Sequence, residues 1–526
     1  MRVWILIFFC YSMAGVQAQI NSFQCSFHGA GTSAERANAV QQTTDGGYIF
    51  TGTTNGFGAG SYDMYLAKTN SNGDTLWTRT FGGSAYDVAN CVIQTSDGGF
   101  VVTGATNSFS GTIFNDVYLI KTDINGNTQW TKTYGGTDTD EGYQVQQTTD
   151  GGFIIVGTTE SYGVKSGDVY LLRIDSNANL LWTKTYGGTS YDVANSLVQT
   201  LDGGFVIAGS ADSFEGNYNM YLIRTDMNGD TLWTRTYGGT GDDEGISILQ
   251  NNTGDYVVAG YTTGFGAGNG DIYLVDIDTN GILKWSKAFG GTGYDIGYFI
   301  DHTPDGGYVI AGTTASFGAG SDDMCLLKID SDGNPFWTKA YGGANHEYCF
   351  AARPCADAGY IIAGYSKSFG GFGEDAYLVK TDSNGASGCN EISASMMQSS
   401  TATLTYKPFT QVFSGGVMNA PASIIGGGGT QKVLCSVVGI EEDNANDNLF
   451  TVSPNPGNGM FTFQSINTKR FTDMEVYNIM GEKIFSSDHL LSLSFDVNIS
   501  LRSKGVYFYK TVLDNKYVTT GKLIVE

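Results

Sequence analysis

One short stretch returns at nearly constant intervals and dictates what the chain can become. "SNGDTLWTRTFGG" (71–83) comes back as "INGNTQWTKTYGG", "SNANLLWTKTYGG", "MNGDTLWTRTYGG", "NGILKWSKAFGG" and "DGNPFWTKAYGG". Its tryptophans, Trp77, Trp130, Trp182, Trp233, Trp285 and Trp337, are separated by 53, 52, 51, 52 and 52 residues. A fixed period near fifty means that one supersecondary unit is stacked on copies of itself.

The unit after Trp130 shows what is repeated. "EGYQVQQTTD" reads as a strand, Asp150-Gly151-Gly152 as a tight turn, "FIIVGTT" as a second strand. A longer loop, "ESYGVKSG", precedes "DVYLLRID", and Ser176-Asn177 turns the chain into "LLWTKTYGG". Asp-Gly and Asn-Gly between β-rich runs are strong hairpin signals because these residues accept positive φ. Composition agrees: Gly is 74 of 526 residues, Tyr and Phe number 31 and 30, and charged residues are 15%. Four antiparallel strands every ~52 residues predict propeller blades. A β-helix has a shorter period, and sandwich domains need about 100 residues each.

The blade count follows from two further strands. An aromatic, two apolar residues, then x-Gly begins at Tyr48, Phe100, Phe153, Phe205, Tyr256, Tyr308 and Tyr360. A "D-x-Y-L" strand lies near Asp63, Asp116, Asp168, Asn219, Asp271, Asp323 and Asp375. Only six strands carry the tryptophan. "FQCSFHG" (23–29) stands where the missing one belongs, with Phe23 in place of Trp. The expected fold is therefore all-β: a seven-bladed β-propeller of four-stranded blades (19–385) closed by the N-terminal strand. Such closure removes exposed edges. The recurrent tryptophans are expected to wedge between blades. The blade resembles those of pyrroloquinoline-quinone-type and other Trp-docked propellers in strand order and in its "TD-x-NG-x-x-x-W" turn. Those quinone enzymes usually have adjacent cysteines and a central stacking Trp; this chain has no adjacent cysteines, so no cofactor is carried over.

The flanks have other tasks. "MRVWILIFFCYSMAGVQAQ" has Arg2, an apolar run and Val16-Gln17-Ala18, which predicts a signal peptide cleaved after Ala18. No other apolar run reaches the ~20 residues of a membrane span. Residues 386–448 are rich in Ser, Thr and Gly and end in "EEDNANDN"; they read as a connector with two short strands and an acidic linker. Two pieces of it, "PFTQVFSGG" and "PASIIGGGG", start thirteen residues apart, at Pro408 and Pro421.

The tail (449–526) contains "FTVSPNPGNGMFTF", "MEVYNIMGEKIF", "FDVNISLRSKGVYFYKTV" and "GKLIVE". Alternating runs of this kind suit a small antiparallel β-sandwich. These motifs resemble the C-terminal sorting domain of the type IX secretion system of Bacteroidota. The positions that carry the resemblance are Pro454, Asn455 and Pro456; Tyr477, Asn478 and Gly481; Gly505 and Tyr507; and Lys522. The resemblance implies passage through the outer membrane by that translocon, to a secreted or surface location.

Net charge is −24 and the pI is about 4.4. Such a surface repels phosphate backbones, so nucleic acid is not an expected partner. The acidic turns "DINGN" (Asp123), "DMNGD" (Asp226) and "DSDGN" (Asp330) superficially suit Ca2+, but no Glu stands at loop position twelve, and they read as hairpins. The four histidines, His28, His302, His346 and His489, form no metal spacing or nucleophile elbow. Gln42, Gln94, Gln147, Gln199 and Gln250, with His302 in the same register, are expected to line the channel. No catalytic or metal set is assigned, and no cofactor is expected.

Long loops gather on one face, where binding usually sits. They carry acids at one register: Asp87, Asp140 with Glu141, Asp192, Asp243 with Glu244, Asp295 and Glu347. They also carry one aromatic per blade: Phe57, Phe109, Tyr162, Phe214, Phe265, Phe317 and Phe369. The acids are the candidate ligand-binding residues, with Asp140, Glu141, Asp243 and Glu244 foremost; the competing reading is that acids cap turns and aromatics pack. The expected function is a secreted or cell-surface, non-catalytic binding, adhesion or scaffold protein whose ligand is an extracellular glycan or protein. The alternative is a secreted glycan-active hydrolase or lyase acting on the same face. Seven cysteines remain after Ala18, and Cys389 pairs with either Cys435 or Cys25.

Overall fold

The computed structural model describes residues 22–437 and 450–525, apart from 30–31, 165, 215, 372, 401–403, 407–410, 414–416, 420–423, 427–429, 456, 466–469, 479–482, 501, 503 and 514–516. The expected signal peptide lies outside these residues. Among the described residues every regular element is a strand. None forms a helix long and apolar enough to cross a membrane. The chain divides into two compact units, one running to Val437 and one formed by the tail.

The first unit holds seven antiparallel sheets of five strands, numbered here 1 to 7 along the chain. Sheet 3 shows the predicted hairpin order, Asp140–Gln147, Phe153–Thr159, Asp168–Ile174 and Leu180–Gly187. Its Asp150 turn closes as the sequence implies, with the Gly151 N–H donating to the Thr148 carbonyl at 2.9 Å. Sheet 7 is completed from the other end of the chain. Ser22–His28 pairs with Asp375–Thr381, setting Phe23 opposite Lys380 and Phe27 opposite Ala376.

Aromatic wedges join neighbouring sheets, as expected. The Trp77 ring lies 6.0 Å from Phe100, Trp182 lies 6.4 Å from Phe205, and Trp337 lies 6.1 Å from Tyr360. Phe23 does the same work at 5.8 Å from Tyr48. The Tyr186 hydroxyl donates to the Gly229 carbonyl of the next sheet at 2.6 Å. Sheet 7 meets sheet 1: the Glu35 N–H donates to the Glu374 carbonyl at 2.6 Å, and the Ala356 N–H donates to Gln42 Oε1 at 2.8 Å.

The expectation of four strands per sheet needs correction. The connector does not hang as a linker with two strands; it supplies seven. Glu391–Ala394, Met397–Ser400, Leu404–Tyr406, Gln411–Phe413, Val417–Asn419, Ile424–Gly426 and Thr430–Val437 add to the outer strands of sheets 6, 5, 4, 3, 2, 1 and 7 in that order. The physical reason is the edge: an unpaired outer strand leaves its N–H and C=O groups open to any other chain. The connector steps from sheet to sheet about every six or seven residues, so the thirteen-residue echo is two steps.

A bulge recurs in every innermost strand. In sheet 2 the register shifts between Ala89 and Cys91, so Asn90 is the inserted residue. The strand beside it must be glycine at the facing point: a Cβ on Gly104 would lie 1.8 Å from the Val88 carbonyl oxygen. This contact explains the x-Gly that ends each aromatic-apolar run. Bulges bend a strand and re-aim one side chain.

The tail is a sandwich of a three-stranded and a four-stranded sheet. Phe461, Phe463, Phe471, Met474, Val476, Tyr507 and Leu523 fill it. Asn455 ties the opening loop to the last strand, its Oδ1 accepting from the Ile524 N–H at 2.9 Å. Tyr477 donates to Glu475 at 2.7 Å, and Gly505 and Tyr507 begin a strand that pairs with Tyr517–Val525. Pro456 and Gly481 lie outside the described residues, as does the Lys522 side chain.

Candidate functional site

The seven bulges aim their inserted residues at one cavity. Asn38, Asn90, Tyr143, Asn195, Ile246, Tyr298 and Phe350, one from each sheet, line a space of about 680 Å³. The bulges fall at the middle of each innermost strand, and the long-loop residues Tyr62 and Tyr86 join the lining. The cavity therefore opens at the end of the sheets that carries the long loops.

The wall is uneven around its circumference. On sheets 6 and 7 it is aromatic: Tyr298 lies 5.7 Å from Phe350, and Phe350 is backed by Tyr365 at 5.9 Å, which stacks on Tyr348 at 5.1 Å and 21°. Arg36 covers Tyr365 at 5.2 Å and pairs with Glu374 at 2.5 Å. Tyr348 also donates to Asp322 at 3.0 Å, and His346 bonds the same carboxylate. Sheets 1, 2 and 4 contribute amides, with Tyr143 on sheet 3 and Ile246 on sheet 5. The amide of Asn38 donates to the Ala89 carbonyl at 2.8 Å, Asn90 to Gly142 at 3.0 Å and Asn195 to Gly245 at 2.9 Å. These bonds hold the amides rigid and leave their Oδ1 atoms without a partner among the described residues.

The acids expected to bind ligand separate into two groups. Asp87, Asp140, Asp192, Asp243, Asp295 and Glu347 are fully buried. Each closes the loop that enters its own strand: Asp87 Oδ2 accepts from the Gly83 N–H at 2.8 Å and from the Ser108 hydroxyl at 2.6 Å, and Thr106 bonds the other oxygen. Asp140, Asp192, Asp243, Asp295 and Glu347 accept from Gly136, Gly188, Gly239, Gly291 and Gly343 in the same way. A carboxylate so placed has no face toward a ligand. Glu141 and Glu244 do face the long-loop end, half-buried, one residue further along. Tyr143 donates to Glu141 at 2.9 Å and Tyr261 to Glu244 at 3.2 Å. Burial pushes the Glu244 carboxyl above its usual range, and Glu244 lines the cavity.

The loop aromatics also turn inward. Phe109 packs 5.6 Å from Tyr118, Phe214 lies 5.4 Å from Tyr221, and Phe369 lies 5.4 Å from Tyr377. The glutamine register stitches the other end of the ring: Gln94 and Gln147 accept from the Thr44 and Ser96 N–H groups of the preceding sheet at 2.8 and 2.9 Å. In the acidic turns Asp226 Oδ1 accepts from the Asn228 and Asp230 N–H groups at 2.8 and 2.9 Å.

Sequence reasoning missed the inserted residues. Their signal is present: the fourth position of the innermost strand reads Asn, Asn, Tyr, Asn, Ile, Tyr, Phe from sheet to sheet, where packing positions hardly change.

A family profile described as "Outer membrane protein assembly factor BamB" matches residues 63–339, more than half of the chain. The chain belongs to that family. A second profile, the secretion system C-terminal sorting domain, matches residues 451–526, so the tail is a type IX secretion sorting domain. The family's repeat here is thus joined to an export signal, and the protein is directed to the cell surface or beyond. The regulatory protein FlaEY of Caulobacter vibrioides is 24% identical over 262 residues, 43% of this chain; the chain matches only 26% of that relative's length. Among solved structures, the extracellular domain of BT4673, described as a one component system of B. thetaiotaomicron, covers 95% of this chain at 12% identity and a TM-score of 0.38, with 59% of its own length matched. PorZ, a surface component of the type IX secretion system of Porphyromonas gingivalis, covers 93% at 10% identity and a TM-score of 0.28, with 81% of its own length matched. These are loose likenesses.

Proposed function

We propose that the seven sheets form a closed seven-bladed β-propeller that acts outside the cell as a non-catalytic glycan-binding protein, with the ligand seated in the axial cavity. Residues 1–18 then serve as its cleaved signal peptide, in a bacterium of the Bacteroidota. One observation carries the reading: all seven inserted residues converge on a single cavity, and six of them are aromatic rings or fixed amides, the seventh being Ile246. Sugar rings offer C–H faces that lie on aromatic side chains and hydroxyls that pair with amides and carboxylates. Packing alone gives no reason for that position to differ between sheets. Of the eight acids first considered, Glu141 and Glu244 have the exposure to take part.

The test is a glycan array followed by calorimetry on the mature protein. Tyr298→Ala with Phe350→Ala is expected to weaken binding at least tenfold without lowering Tm. A silent array, or a double variant that binds like the parent, overturns the reading. The raised carboxyl of Glu244 beside the Tyr261 hydroxyl favours the second reading, a glycan-active hydrolase or lyase. A general acid needs a raised pKa. Reducing-end release abolished by Glu244→Gln establishes that reading; binding retained by Glu244→Gln with no release from the parent supports the first.

A further inference from the structure

The connector's two ends meet. It leaves the third strand of sheet 7, passes the outer edges of sheets 6, 5, 4, 3, 2 and 1, and returns to sheet 7. There Cys389 and Cys435 are joined by a disulfide across a sequence separation of 46. Fully extended, 46 residues reach about 150 Å, which leaves about six or seven residues for each step between sheets. The covalent loop therefore runs once around all seven sheets.

The closure lies at the weakest point of the ring. Sheet 7 alone draws a strand from the far end of the sequence, Ser22–His28. That strand is held on one side by Asp375–Thr381 and on the other by Thr430–Val437, with Gln24 opposite Cys435. The Gln24 amide donates to Ser387 Oγ at 2.8 Å and to the Cys389 carbonyl at 2.5 Å. Tyr377 donates to Gln24 Oε1 at 2.7 Å. Both ends of the loop are thus fastened over the one strand whose departure would open the ring.

We propose that residues 389–435 are a hoop which thiol oxidation locks around the assembled sheets, holding the N-terminal strand in place. Six of its strands have only three or four residues. Pairings that short are marginal one at a time; closing the loop makes them one unit that cannot peel from an end. In the locking step the two thiols give up two electrons and two protons. They do so by exchange with the disulfide of a protein oxidant, which leaves as a dithiol. The hoop is complete at Val437, before the tail begins, so the lock does not depend on the sorting domain.

Cys25 is a built-in reporter, being buried, free and in the N-terminal strand, while Cys91, Cys325, Cys349 and Cys355 are buried and free elsewhere in the ring. The experiment treats the folded full-length protein with N-ethylmaleimide before and after mild reduction, reads each cysteine by peptide mass, and follows hydrogen exchange in parallel. A C389S/C435S variant is the second arm. Reduction is expected to speed Cys25 labelling and exchange at 22–28 and in the hoop strands at least tenfold, with the other four cysteines and the innermost strands unchanged. If Cys25 stays as protected as before, or all five cysteines become reactive together, the lock is refuted. Should the variant fail to fold, reduction of the already folded protein still decides.

Discussion

Asp116→Asn should make the protein more stable at pH 8, less so at pH 5, and leave it unchanged only below about pH 4. Asp116, 2% exposed, sits where sheet 2 meets sheet 3, and its Oδ1 is buried without a partner. Gly135 lies between that oxygen and Asp140 Oδ2: a Cβ there would be 2.1 Å from one and 2.8 Å from the other. Burial, then the charge of Asp140, lifts Asp116 from 3.8 to about 7, and burial lifts Asp140 to about 6. The pair titrates as a unit. Because the folded pKa lies above the unfolded one, this stabilisation is full below about pH 4 and drains away as pH rises through about 7. A shift of about three units corresponds to at most about 4 kcal/mol at about 1.4 kcal/mol per unit. Relaxation around a coupled pair halves that, giving about 2 kcal/mol at pH 8. With unfolding entropy near 2.1 cal/mol/K per residue over about 400 residues, the expected gain in Tm is about 2 to 3 °C.

Sheet 4 already carries the amide, since Asn219 occupies the Asp116 register there. Asn219→Asp should therefore lose a similar amount at pH 8 and less at pH 5. Calorimetric Tm from pH 4.5 to 8.5 for parent and both variants reads the effect directly. A difference between Asp116→Asn and parent that does not change with pH refutes the reasoning, and so does one that grows toward acid pH.

Gly104→Ala should cost at least ~3 kcal/mol, because its Cβ meets backbone 1.8 Å away. Gly98→Ala, in open space at φ +83°, should cost only about 1 kcal/mol; urea titration that fails to rank them so refutes the bulge account. Trp182→Ala should destabilise by about 2 kcal/mol or more, the ring being half-buried over Gly229; an unchanged denaturation midpoint means the wedge is idle. Deleting 449–526 should leave a folded, hoop-bearing ring in the periplasm, as fractionation and immunoblotting would record; normal extracellular levels refute the separation of address from ring.

The repeated sheets were readable because they are built by local rules. Asp-Gly and Asn-Gly turns, the Trp strand and the x-Gly strand each sit within one repeat, and Phe23 betrayed the closing strand by standing in for Trp. The hoop was not readable. Its strands have three to eight residues, too few to show a period, and their partners lie up to hundreds of residues away. Gln431, for instance, accepts from the Thr75 N–H at 2.8 Å. The thirteen-residue echo was the trace of that architecture, but an echo cannot say what it pairs with. The bond between Cys389 and Cys435, by contrast, was one of the two pairings the sequence offered, since both cysteines flank the connector.

The candidate site was legible only in part, and the reason is general to repeats. Asp87 and its five counterparts recur because every sheet has an entering loop to close, so their regularity marks scaffold, not ligand. The inserted residue of the bulge is the reverse case. Its backbone is fixed in all seven sheets by the same glycine contact, while its side chain leaves the sheet; where it is Asn the amide also ties to the next sheet. Selection on a ligand can then act there without disturbing the fold. A ring in place of the amide gives up only that one inter-sheet bond and leaves the strand backbone as it is. Tyr143, Tyr298 and Phe350 differ from Asn38, Asn90 and Asn195 at a position where the strand backbone stays the same, which is what a binding surface grafted on a repeat requires.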